Sequence, residues 1–124
     1  MSLDRYRQTQ TTSESPRQTE YRLFVQVTRA LKEAEEQGLS GIELVEKLDW
    51  NRRLWSTLAS DCGAAGNQLP KELRAQIISL SLWVSRYSTE VARGRGGLDA
   101  LIDVNRAIME GLAARPGANG AAAP

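Results

Sequence analysis

Seven consecutive residues, Asp49-Trp50-Asn51-Arg52-Arg53-Leu54-Trp55, hold two tryptophans, two arginines and an asparagine. Tryptophan and arginine carry much of the energy at protein interfaces, one through rigid apolar area, the other through a planar fork of donors. The run therefore reads as a candidate docking element. The structural alternative keeps Trp55 in a core and Trp50 half-buried, with arginine stems lying on apolar surface and their charged heads in water. Trp55 shares a helical stripe with Leu48 and Leu58 and is expected inside. Asn51 falls on the same stripe, where a polar side chain must find a hydrogen-bond partner. Asn105 repeats the situation between Leu101 and Ile108. The two asparagines are expected to bond each other or backbone and to fix helix register, as a buried asparagine does in coiled coils; a ligand pocket is the lesser alternative.

Catalytic chemistry finds little to work with. The chain has no histidine, so serine and cysteine nucleophiles lack an imidazole base. One cysteine, Cys62, cannot assemble a zinc site and has no partner for an internal disulfide, which suits a reducing compartment. The carboxylates fall on positions expected to be exposed, where nothing would move their pKa toward catalysis. Arg93-Gly94-Arg95-Gly96-Gly97 resembles a phosphate loop only superficially, because it follows a helix and lacks the Lys-Ser/Thr of a P-loop. Neither an enzyme nor a cofactor or small-molecule substrate is expected.

Helices must position these residues. Ser15, Pro16 and Gln18 form an N-cap, a first-turn proline and a capping box. Tyr21, Phe24, Thr28 and Leu31 follow at helical spacing, with Val25 and Val27 beside them, and Gly38 ends the run. Ser40 and Glu43 make a second capping-box pattern, opening a helix expected to run to about Ser60, with Asp61 to Gln68 a loop. A third helix opens at Pro70 with the seam Leu73, Ile77, Leu80, Val84, Tyr87 and Val91, a coiled-coil-like alternation of fours and threes. Ile78, Leu82 and Trp83 lie off that seam, so the helix either sits centrally or shows a second face to a partner. A last helix carries Leu98, Leu101, Asn105, Ile108 and Leu112. Period-two strand alternation is absent. The expectation is an all-α bundle of about four helices over residues 15–114. Residues 1–14 read as a flexible arm and 115–124 as a disordered Ala/Gly/Pro tail.

Charge is balanced overall, net +1, which counts against a protein that coats nucleic acid. Locally it is not. Six acids against Lys32 and Lys47 lie between Ala30 and Asp49, and five basic residues against Glu72 and Glu90 lie between Pro70 and Arg95. A solvated surface explains this; electrostatic steering of a partner is the functional alternative. No apolar run approaches membrane-spanning length, and Met1 to Tyr6 lacks a signal peptide's apolar stretch, so the cytoplasm is the expected location.

Several stretches together resemble one family, the alphaproteobacterial flagellar biosynthesis regulator FlaF. They are Ser15-Pro16-Arg17-Gln18-Thr19-Glu20, the Asp49–Trp55 run, Leu69-Pro70 with Leu73 to Leu80, Trp83-Val84-Ser85-Arg86, and Leu101 to Met109 with its Asp103-Val104-Asn105-Arg106. The likeness covers Asp4 to Ala113; the Arg/Gly-rich break and the Ala/Gly tail depart from it. The resemblance implies a protein that binds flagellin, promotes its synthesis and secretion, and acts opposite the repressor FlbT. Combined with the residue pattern, it puts the partner-binding surface on Trp50, Asn51, Arg52, Arg53, Arg74, Trp83, Arg86 and Arg106. The competing expectation is an RNA-binding regulator of the flagellin messenger, using arginines on phosphates and aromatics on bases. A homodimer through an apolar outer stripe is a further expectation.

Overall fold

The computed structural model of the chain describes residues 15–121, with side chains as far as Leu112. Four helices follow in order: α1 (Pro16–Gln37), α2 (Gly41–Gly63), α3 (Lys71–Ala92) and α4 (Asp99–Ala121). They form an all-helical bundle, and no strand occurs among the described residues. The principal backbone packing is α2 on α3, α1 on α4 and α1 on α2, while α3 and α4 barely touch.

The first helix begins as the sequence requires. Ser15 is the N-cap, its hydroxyl accepts from the Gln18 amide at 3.1 Å, and Gln18 Oε1 accepts from the Ser15 amide at 3.0 Å. Gly38 ends α1 in the left-handed region, φ 62°, which lets its own amide reach the carbonyl of Glu35 and the Leu39 amide reach that of Ala34. Gly94 repeats the device after α3. At φ 79° its amide bonds the Val91 carbonyl, and Arg95 N–H bonds that of Glu90. The arginine–glycine break is thus a helix cap, and Arg93 and Arg95 both pair with Glu90.

Three local expectations change. Ser40 is the N-cap of α2 but makes no side-chain cap bond, because the chain turns through left-handed Gly41 directly after it. The second helix runs past Ser60 to Gly63, since Cys62 continues the core stripe and is 1% exposed; packing there outweighs the glycine-rich composition. The backbone of α4 runs on to Ala121, so Arg115 lies within helix where a tail was expected, against the low helix propensity of Pro116, Gly117 and Gly120. The arm of residues 1–14 lies outside the described residues.

Phe24, Val27, Leu31, Leu48, Trp55, Leu58, Ile77, Val84, Leu101 and Leu112 form the centre of the core. Phe24 meets Trp55 edge-to-face, with ring centres 5.4 Å apart. On α3 the expected seam does face inward. Ile77, Val84 and Val91 are buried, whereas Leu73, Leu80 and Tyr87 are half-buried because α4 gives that flank little cover. Tyr21 was expected on the inner stripe of α1 and is exposed instead.

Candidate functional site

The two inward asparagines meet. Asn105 Nδ2 donates to Asn51 Oδ1 at 2.8 Å and to Thr28 Oγ1 at 3.1 Å, while Asn105 Oδ1 accepts from Trp55 Nε1 at 2.8 Å. One side chain of α4 therefore ties α1 and α2 together in the middle of the bundle, and Asn51, Trp55 and Asn105 are all fully buried. Hydrogen bonds in such a dry setting demand one arrangement of three helices and tolerate no register slip. Among the described residues four buried side-chain polar atoms have no hydrogen-bond partner, Arg17 Nε, Asn51 Nδ2, Arg52 Nε and Ser88 Oγ, and Asn51 and Ser88 are the two whose whole residues are fully buried. Such orphans each cost about 1–3 kcal/mol.

Buried in this network, Asn51 is part of the framework and cannot be touched by a partner, contrary to its expected place on the docking surface. The remaining expected residues do not converge on one surface. Glu43, Glu46 and Lys47 of α2 line a small cavity with Ala30, Glu33, Ala34 and Gln37 of α1, which marks the flank of α2 that faces α1. Half-buried Trp50 follows Glu46, Lys47 and Glu43 by one and two turns and shares that flank. Trp83 is half-buried and stacks on Tyr87, ring centres 4.8 Å apart and nearly parallel, and Tyr87 Oη donates to the carbonyl of Gly97 just before α4. The two tryptophans thus turn to opposite sides of the α2–α3 pair. Arg74 is half-buried, its Nε donating to the Leu69 carbonyl at 3.0 Å, where it holds the α2–α3 connection. Arg52 is half-buried and pairs with Asp49; Arg53, Arg86 and Arg106 are exposed. Arg106 stands on α4, a different helix from the other two.

What the structure does leave open is apolar. Ile42 is 75% exposed and Leu82 58%, with Val45 and Ile78 partly uncovered. Ile78 and Leu82 lie about 120° and 160° around α3 from buried Val84, on the flank opposite Trp83, and so beside α2. Val45 and Ile42 lie about 120° and 180° around α2 from Asn51, on the flank away from α1. All four belong to the outer face of the α2–α3 pair, with Arg52, Arg53 and Arg86 around them. This face is the candidate site. The off-seam apolar residues of α3 signalled it in the sequence; Ile42 and Val45, at the start of α2, carried no comparable signal.

A second feature corrects the view that every acid is an unperturbed surface group. Glu20 is raised to about 7, first by burial and then by a side-chain hydrogen bond with Asp61 at the end of α2; Arg17, 3.6 Å away, opposes the rise. Burial and the same two carboxylates also push up the thiol of neighbouring Cys62. The folded chain holds a proton on Glu20 that the unfolded chain releases near its ordinary 4.5, so this group's stabilising contribution is present below that value and disappears as pH rises through about 7. Glu20→Gln is expected to flatten the pH dependence of stability and to raise the melting temperature most at pH 8. Thermal melts of both proteins from pH 5 to 8 check this; parallel curves would contradict it.

Among the described residues, no group of three His, Cys, Asp or Glu side chains could hold a metal ion, and no helix is long and apolar enough to cross a membrane. Comparison with curated proteins found no match, and comparison with solved structures found none either. A family model described as flagellar protein FlaF matches residues 2–112, nearly the whole chain. With its asparagine-tied bundle and an apolar face left uncovered, the chain belongs to the FlaF family of flagellar proteins.

Proposed function

We propose that this chain binds unassembled flagellin in the cytoplasm and promotes its synthesis and secretion, acting by association and catalysing no reaction. The observation that carries the reading is the apolar outer face of α2 and α3, with Leu82 more than half exposed on a helix whose other seam is already in the core. A soluble chain gains nothing by exposing such residues at helical spacing unless something covers them. Flagellin's terminal segments form amphipathic helices that aggregate when unassembled, and a helix laid along this face would cover both apolar surfaces. Opposition to FlbT fits the same scheme, with FlaF-like and FlbT-like proteins competing over the fate of one flagellin pool.

Contact with flagellin messenger is the competing reading, and the bordering arginines are its only support. Salt separates the two. Apolar burial is not screened, so flagellin binding should fall less than about threefold between 50 and 300 mM salt. Binding through phosphates should fall by orders of magnitude over a similar range as counterions are released. Titration of purified flagellin and of nuclease-controlled flagellin messenger into the chain at both salts decides. Steeply salt-dependent messenger binding with no flagellin binding would overturn the proposal.

A further inference from the structure

Part of the outer seam of α3 reads the same in both directions. Ala75, Ile78, Leu82 and Ser85 step by three, four and three, a second coiled-coil alternation beside the one that faces the core, and Thr89 extends it beyond the symmetric part. If a second α3 is laid antiparallel across it, Ile78 comes opposite Leu82 of the second copy, Leu82 opposite Ile78, and Ala75 opposite Ser85. Large meets large at the centre and small meets small at both ends. Charge follows nearly the same symmetry. Glu72 and Arg86 stand on one flank of the seam, two heptads apart about Ser79, one residue from the seam's centre, so this register brings each Glu72 to within about 3 Å, along the helix axis, of the other copy's Arg86, twice. Both are exposed, and neither takes part in an ion pair within the chain among the described residues.

We infer that two copies of this chain pair through the outer face of α3, antiparallel, with Ile78 and Leu82 at the centre and two Glu72–Arg86 ion pairs flanking them, and that this pairing shields the face until flagellin displaces it. The displacement rests on the proposed function; the pairing itself does not. An isologous contact of this kind needs one self-complementary patch, which the palindromic seam supplies. From Ala75 to Ser85 the self-complementary stretch is about 15 Å long, too short for an obligate interface. The dimer is therefore weak enough for a better-covering helix to replace it.

The test is sedimentation velocity of the whole chain over a concentration series, with charge variants that leave the core untouched. Wild type should show a monomer–dimer equilibrium. Glu72→Arg alone and Arg86→Glu alone each place like charges opposite one another at two points and should raise the dissociation constant at least tenfold. An equimolar mixture of the two variants restores both pairs in this register and should dimerise again, as should the double variant. A wild-type chain monomeric at its highest soluble concentration, or a dimer indifferent to these charges, would overturn the pairing. Excess flagellin should convert the dimer to a complex holding one copy of the chain. A complex in which the dimer persists would overturn the displacement while leaving flagellin binding intact. Absence of any flagellin complex would overturn the proposed function and leave the sedimentation result for the dimer standing.

Discussion

Replacing Asn105 by alanine is expected to cost the bundle about 3–5 kcal/mol, because one side chain satisfies three buried partners on two other helices. The variant leaves Trp55 Nε1 with no acceptor, Asn51 without its remaining bond and Thr28 without its donor. Each orphan costs about 1–3 kcal/mol, and the sum is less than additive because the Thr28 hydroxyl can turn to a carbonyl of its own helix. The cavity adds to the loss. Against a total stability of about 5–15 kcal/mol for a domain of this kind, that is enough to leave a visible unfolded fraction. Thr28→Val should cost only about 1 kcal/mol, since it removes the outermost member of the network. Urea denaturation of the two variants beside wild type checks the ranking. A loss below about 1 kcal/mol for Asn105→Ala would mean the asparagines do not hold the helices together.

That network shows how far a sequence reading reaches. The stripes Leu48–Leu58 and Leu101–Ile108 place Asn51 and Asn105 on inward faces, and their meeting follows from there being one core for both. Thr28, the third partner, also lies on an inward stripe, but nothing in a periodic pattern says it meets a residue of the last helix. Periodicity gives the inward direction of each helix and leaves open which neighbour stands on each flank. Trp50 and Trp83 illustrate the cost of that gap. Both sit at the border of their stripes, yet one turns toward α1 and the other toward the start of α4, so the aromatic–arginine cluster that dominates the sequence dissolves in three dimensions. The same gap hid Glu20. Its helix position reads as ordinary surface, and only the packing of the start of α1 against the end of α2 brings Asp61 beside it. The extension of α2 to Gly63 has a similar origin, because burial of Cys62 decides the boundary and composition does not. The second apolar stripe of α3 was legible as a pattern, but whether it is buried or exposed was not; it is exposed because only one neighbour packs extensively on that helix.

The outer face carries the functional account, so its removal has the other large expected effect. Ile78→Asp together with Leu82→Asp puts two carboxylates where an amphipathic helix would lay apolar side chains. Each apolar residue contributes about 1.5–3 kcal/mol when covered, and a buried unpaired carboxylate reverses the sign of the contact. Both side chains are substantially exposed in the free chain, 39% and 58%, so the fold should survive the change. The decisive measurement pairs calorimetric titration of unassembled flagellin with thermal melting, on one preparation of wild type and one of the double variant, at chain concentrations low enough to be monomeric. The account requires a loss of at least about 2 kcal/mol in flagellin affinity, roughly thirtyfold, with a melting temperature close to wild type. Flagellin affinity equal to that of wild type would contradict it, whatever the melting curves show.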